Sequence, residues 1–168
     1  MYKRQGYQVK GDLTEEECKK CLYDLFADPI IETASHNETL LSSFQTPPDL
    51  AIQVGFKPGV TDNSAQAALD GLTTIFEYHS DSVVATTKTY AIWGTKDTDA
   101  NKIANAIHNP MIERCSISTS EKCGKGDWPS LKFPEIQPSP YLKPATVNLE
   151  VSDEELLSIS EKGLLALN

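Results

Sequence analysis

Four cysteines, three histidines and two well-placed lysines carry most of the chemistry open to this sequence. Cys18 and Cys21 form a Cys-x-x-Cys pair inside YQVKGDLTEEECKKCLYDLFADPIIE, Tyr7 to Glu32. Such a pair can be half of a tetrahedral zinc site or a dithiol redox couple. Zinc needs two further ligands, and the candidates are Cys115, Cys123, His36, His79 and His108. A reactive dithiol usually opens a helix, where the dipole lowers the thiol pKa. Here the pair follows a full acidic turn, Glu15-Glu16-Glu17, which opposes thiolate formation. A third reading is packing, since free cysteine behaves as a small hydrophobe. Cys18, Cys21, Leu22, Leu25 and Phe26 share one apolar stripe at helical spacing, and that favours packing. Lys57 and Lys88 are candidates to face an anionic ligand or a neighbouring domain. Their positions, at a turn and at a hairpin tip, favour plain solvation. His108 falls at a helix end, where the dipole favours a cation. No histidine–carboxylate cluster stands out. No residue is assigned a catalytic, cofactor-binding or metal-binding role.

The elements that must hold these residues are legible from periodicity. Thr14 and Glu17 fit a capping box that opens a helix through Phe26. After Pro47-Pro48, Leu50, Ile52, Val54 and Phe56 alternate with smaller or polar residues, the period of a half-buried strand, and Lys57-Pro58-Gly59 ends it as a turn. TDNSAQAALDGLTTIF is a helix with Ala65, Ala68, Leu69, Leu72 and Phe76 on one face. DSVVATTKTYAIWG is β-branched and aromatic, enough for one bent strand or two strands meeting near Thr87-Lys88. TDANKIANAIHN is helical again, with Ala100, Ile103, Ala104 and Ile107 inside, and Asn109-Pro110 stops it. PMIERCSIS, from Pro110, reads as the next strand. From Ser118 to Pro144 the chain is rich in proline and glycine, with Trp128, Phe133 and Tyr141 interleaved. It reads as an extended linker that docks through its aromatics. Ser152 and Glu155 then cap a last helix, with Val151 and Leu156 as a hydrophobic staple and Gly163 as its stop.

Composition narrows the function classes. The 168 residues suit one domain plus an extension, and 39% hydrophobic content is ordinary for a globular chain. A formal net charge of −9 opposes general nucleic-acid binding and anionic membranes. No apolar run approaches the ~20 residues that span a bilayer, and the N-terminus lacks an apolar signal core. With no dense cysteine framework, the expected setting is reduced and cytoplasmic.

Part of the sequence repeats. Tyr7-x-Val9-x-Gly11 matches Tyr90-x-Ile92-x-Gly94. The stripe Cys18, Cys21, Leu22, Leu25 matches Ala100, Ile103, Ala104, Ile107, and Pro29-Ile30-Ile31-Glu32 matches Pro110-Met111-Ile112-Glu113. Strand, helix and strand are therefore expected twice. Alanine and isoleucine cannot bind metal, so the cysteines opposite them are expected to fill packing holes. The second copy is preceded by its own strand and helix, Leu50 to Phe76, and the first is not. Met1–Gln5 looks unrelated to the strand and helix after it. The expectation is a chain clipped at both ends.

VGFKPGVTDNSAQAALDGL, VVATTKTYAIWG and NPMIERCSI, in that order, resemble the small subunit of phosphoribosylformylglycinamidine synthase. That family shows a Lys-Pro-Gly-x-x-Asp turn opening its first helix, a lysine-bearing hairpin near Lys88 and a closing Asn-Pro-x-Ile-Glu. Two copies followed by VSDEELLSIS resemble the N-terminal region of the large single-chain form, where a doubled domain imitates the small-subunit dimer. The resemblance implies an α+β fold: a mainly antiparallel sheet with helices packed on one face and two related ferredoxin-like repeats, the first truncated. It places the doubled domain at 1–118, a Pro-rich linker at 119–144 and the start of a helical linker domain at 145–168. It implies a glutamine- and ATP-dependent ligase of purine biosynthesis, with ATP and magnesium used by the full-length enzyme and no cofactor in this segment. Its partners would be the synthetase and glutaminase domains of the same chain, with no nucleic acid and no membrane. Self-association through the truncated sheet edge is a further expectation. The family's Ser-Glu-His-Cys segment, nucleotide-binding glycines and glutaminase nucleophile are not in this sequence, so the segment alone is expected to be inactive. A rival of another class is a free-standing ferredoxin-like module that senses a small molecule or dimerises.

Overall fold

The computed structural model describes residues 1–76, 82–136, 146 and 148–163. Met1–Ile136 form one compact unit and Gln137–Asn168 a second. The first is an α+β unit built on a four-stranded antiparallel sheet. Its strands are β1 (Tyr2–Lys10), β2 (Leu50–Phe56), β3 (Val83–Ile92) and β4 (Glu113–Thr119), in the order β1-β3-β2-β4. The helices are α1 (Glu15–Cys21), α2 (Asn63–Ile75), α3 (Ala100–Ile107) and α4 (Ser120–Gly124). In the second unit α5 spans Asp153–Gly163, and Ser152 and Glu155 exchange the two bonds of a capping box.

One face of the sheet is helical. Leu50, Ile52 and Val54 of β2, with Tyr90, Ile92, Cys115 and Ile117 beside them, pack against Ala100 and Ala104 of α3. On the same face, Val9 and Val84 pack with Cys21, Leu72 and Phe76 from α1, α2 and the turn after it. Small residues set this layer close to the strands. Gly71 of α2 instead lets that helix lie close to the helical turn Leu22–Phe26: a Cβ there would lie 2.4 Å from Leu25 Cδ1. The second face is covered too. Leu41 from a 3₁₀ turn (Leu40–Ser43), Cys123 from α4 and the half-buried Trp128 close over Ala51 and Ala91. Leu131 adds to this cover: Gln8 Nε2 donates to its carbonyl, and its N–H donates to Gln53 Oε1. The aromatic segment after Ser118 therefore docks on the sheet as far as Pro134. Tyr141 lies outside the described residues.

Several expectations need correction. Met1–Gln5 is not extraneous, because Tyr2–Gln5 are the first half of β1 and pair with Lys88–Ala91. β3 is one continuous strand, so Lys88 sits at mid-sheet between Gln5 and Val54, not at a hairpin tip. Its ten residues pair with β1 along Val83–Ala91 and with β2 along Thr87–Ile92. The expected strand at Pro29–Glu32 is a turn, and β4 begins only at Glu113. In both places the residue before proline takes over the local hydrogen bonding. Asp28 Oδ1 accepts from Ile30 N–H, Glu32 Oε2 accepts from Asp28 N–H, and Asp28 C=O accepts from Glu32 N–H. Asn109, Met111 and Glu113 make the same three bonds. The apolar residues carried on these turns point outward: Ile30, Ile31 and Met111 are about four-fifths or more exposed.

Candidate functional site

The cysteines do not converge. Cys21 packs with Leu72 and Phe76, Cys115 lies on the α3 side of the sheet, and Cys123 is buried on the opposite face. All four are free thiols, and no group of three metal-ligating side chains occurs among the described residues. The box Thr14–Glu17 does open α1, so three glutamates precede the pair. Burial pushes the Cys21 thiol up, with the neighbouring Cys18 adding to the effect, and burial likewise raises Cys115 and Cys123. These are inert, interior sulfurs. The match to the second copy is loose in detail: Cys21 is buried where Ile103 is half-buried, and Ala100 is buried where Cys18 is half-buried.

Two predictions arise from this packing. Exchanging residues with the other copy, Cys18→Ala should cost little. Cys21→Ile forces extra volume into a closed site and should cost about 1–3 kcal/mol. Metal analysis of either protein should find no stoichiometric zinc; one tightly held zinc lost on substitution would overturn the packing assignment. The second concerns pH. A thiol whose folded pKa is raised contributes stability that is complete below the unfolded value, about 8.5, and is lost as pH rises through the folded value. Urea midpoints should therefore fall from about pH 9 upward, and Cys21→Ala should flatten that fall relative to its own value at pH 7. An unchanged slope would show that other groups govern the alkaline limb.

His36 is half-buried in the loop after Glu32, His108 Nδ1 contacts the Ala104 carbonyl at the end of α3, and His79 lies outside the described residues. Lys88 is half-buried on the helical face, and Lys3, opposite Tyr90, lies 5.9 Å from that ring's centroid.

The arrangement that sequence reasoning passed over centres on Asp62. Lys57-Pro58-Gly59 makes the expected turn, with Gly59 at φ 82°, where a side chain would be strained. Lys57 N–H donates to Ile112 C=O, and its Nζ donates to Pro110 C=O, tying the turn to the segment before β4. Asp62 then caps α2, its Oδ1 accepting from Ala65 N–H at 2.9 Å. Its Oδ2 accepts from both the N–H and the hydroxyl of Thr86 on β3, at 2.9 and 2.8 Å. One carboxylate thus fixes a helix start to a central strand. Beside it opens a cavity of about 240 Å³, lined among others by Lys57, Asp62, Val84, Arg114 and Phe133. The signal available in sequence was an N-cap aspartate followed by helical periodicity. The partner on β3 carried no local mark.

The chain matches no protein family, no curated protein and no solved structure in comparisons with all three. Among the described residues no helix is long and apolar enough to cross a membrane.

Proposed function

We propose that this chain is a non-catalytic scaffold segment of phosphoribosylformylglycinamidine synthase, the ATP- and glutamine-dependent ligase that converts formylglycinamide ribonucleotide to its amidine. In this reading it bridges the synthetase and glutaminase parts of a longer cytoplasmic chain. The observation that carries the proposal is the β1–β3 register. Aligning Tyr7 with Tyr90 also aligns Gln5 with Lys88, and those two residues are direct partners in the ladder. Tyr7 then faces Thr86 and Tyr90 faces Lys3, so each strand meets the other symmetrically about the Gln5–Lys88 pair. Two aligned strands meeting about a local two-fold axis is the relation expected when a doubled chain imitates a symmetric dimer. The two proline turns, with identical hydrogen bonds, lend independent support to a duplicated origin.

The coding DNA on either side of the stretch tests this. A strand–helix segment encoded upstream and a Ser-Glu-His-Cys segment downstream are the expected result. A ribosome-binding site before Met1 and a stop codon after Asn168 would sink the scaffold assignment and favour the free-standing module.

A further inference from the structure

The β2–β3 ladder ends at the Gly55–Thr87 pair, yet β3 begins at Val83. Val83, Val84 and Ala85 pair with β1 on one side and face no strand on the other. Thr86 N–H points to the β2 side, since Asp62 takes it there. Strand alternation therefore turns Val84 N–H and C=O the same way, into the 240 Å³ cavity beyond the end of β2. Two cations line this space. Arg114 is held by main-chain carbonyls: Nε donates to Phe56 C=O at 3.1 Å and Nη2 to Lys132 C=O. A guanidinium has five N–H donors, so three remain. Lys57 has given one of its three donors to Pro110 C=O. Neither cation makes an ion pair among the described residues. Asp62 is the acid that lines the cavity, and its oxygens are already directed at Ala65 N–H and at Thr86.

We infer that this cavity binds the oxyanion headgroup, carboxylate or phosphate, of a small organic molecule. Arg114 supplies the planar fork, Lys57 a second charge at the mouth and Val84 a main-chain donor. Phe133 and Pro134 form an apolar wall for the remainder of the ligand. At about 240 Å³ the space is ample for such a headgroup. The site goes beyond the scaffold role and does not depend on it.

Titration of the ¹⁵N-labelled protein with propionate and with methyl phosphate tests the site. Saturable shifts are expected at the amides of Lys57, Val84 and Ala85 and at Arg114 Nε–H, and the probe that saturates at lower concentration identifies the headgroup. Arg114→Gln should weaken that probe at least about tenfold, and Arg114→Lys less, because the charge survives while the fork is lost. Lys57 is exposed, so Lys57→Gln leaves the fold intact and should weaken binding about two- to fivefold. Shifts that stay linear into the tens of millimolar with both probes, or that centre on other residues, would overturn the inference. So would a folded Lys57→Gln and a folded Arg114→Gln that both bind like the parent.

Discussion

Replacing Ile52 with alanine should destabilise the protein by about 3–4 kcal/mol, the middle of the range for truncating a buried isoleucine to alanine. Ile52 has no exposed surface and lies on β2, which has a strand on each side. It stands opposite Tyr90 on β3 and Ile117 on β4, with Ala100 and Ala104 of α3 in the same cluster. The alanines cannot reach into the space left behind, and ladder pairing on both sides prevents the strands from closing it. The cavity term therefore adds to the transfer term. Urea unfolding should show a lower midpoint with an unchanged slope, because the surface exposed on unfolding is nearly the same. Ile107→Ala, on the half-buried last turn of α3, is the control and should cost clearly less. Equal losses at the two positions would mean that β2 is not central to the core.

What the sequence disclosed, and what it hid, separates along one physical line. The span of β2 was legible because its residues alternate and its ends are marked, by Pro47-Pro48 and by Lys57-Pro58-Gly59, but its burial was not: it was expected half-buried, and Leu41, Cys123 and Trp128 cover its second face at Ala51. The boxes Thr14–Glu17 and Ser152–Glu155 were readable because capping is a local exchange of hydrogen bonds. The turn at Pro110 reads as strand from sequence because Met111, Glu113, Cys115 and Ile117 alternate with their neighbours, and the turn at Pro29 does so because it aligns with that segment in the repeat. Asx side chains competing for nearby N–H groups outweigh that pattern. From sequence, β3 reads as one bent strand or as two strands meeting near Thr87-Lys88, and Thr86, Thr87 and Thr89 stand at and beside that point. Their partners, Gly6 and Tyr7 on β1 and Asp62 before α2, are distant in sequence, and only the assembled sheet shows why hydroxyls are tolerated there.

The repeated motifs show the same divide between local and non-local causes. The two proline turns keep identical hydrogen bonds because every participant lies within five residues. The glycines of Tyr-x-Val-x-Gly and Tyr-x-Ile-x-Gly do not keep a common role. Gly94 adopts φ 78°, and its N–H donates to Asp49 Oδ2. Gly11 is required instead by crowding, since a Cβ there would sit 2.3 Å from Ser82 Oγ. The candidate site is an extreme case. Lys57 was visible as a turn residue, but Arg114 and Val84 reach the cavity only through the pairing of β4 with β2 and of β3 with β1.

Asp62→Ala should cost about 2–4 kcal/mol, more than an ordinary cap, because the side chain serves two elements. Losing the bond to Ala65 N–H removes the N-cap of α2, worth about 1 kcal/mol. Losing Oδ2 also strips the buried Thr86 of the partner for its N–H and hydroxyl, and an unsatisfied buried donor costs about 1–3 kcal/mol. Graded variants separate the two parts. Asp62→Asn keeps a capping oxygen at Ala65, but turns an amide NH₂ toward Thr86, where its N–H again lacks an acceptor. It should fall between the parent and the alanine variant. Thr86→Val removes the hydroxyl alone and leaves Asp62 capping α2, so its loss should be smaller than that of Asp62→Ala and near one hydrogen bond, about 1 kcal/mol. In the double variant Asp62→Ala, Thr86→Val the two losses should add to more than the measured total, because the hydroxyl has no partner left to lose. Strict additivity in urea unfolding would mean that Asp62 acts on α2 alone, and that the clamp between the helix start and β3 does not hold in solution.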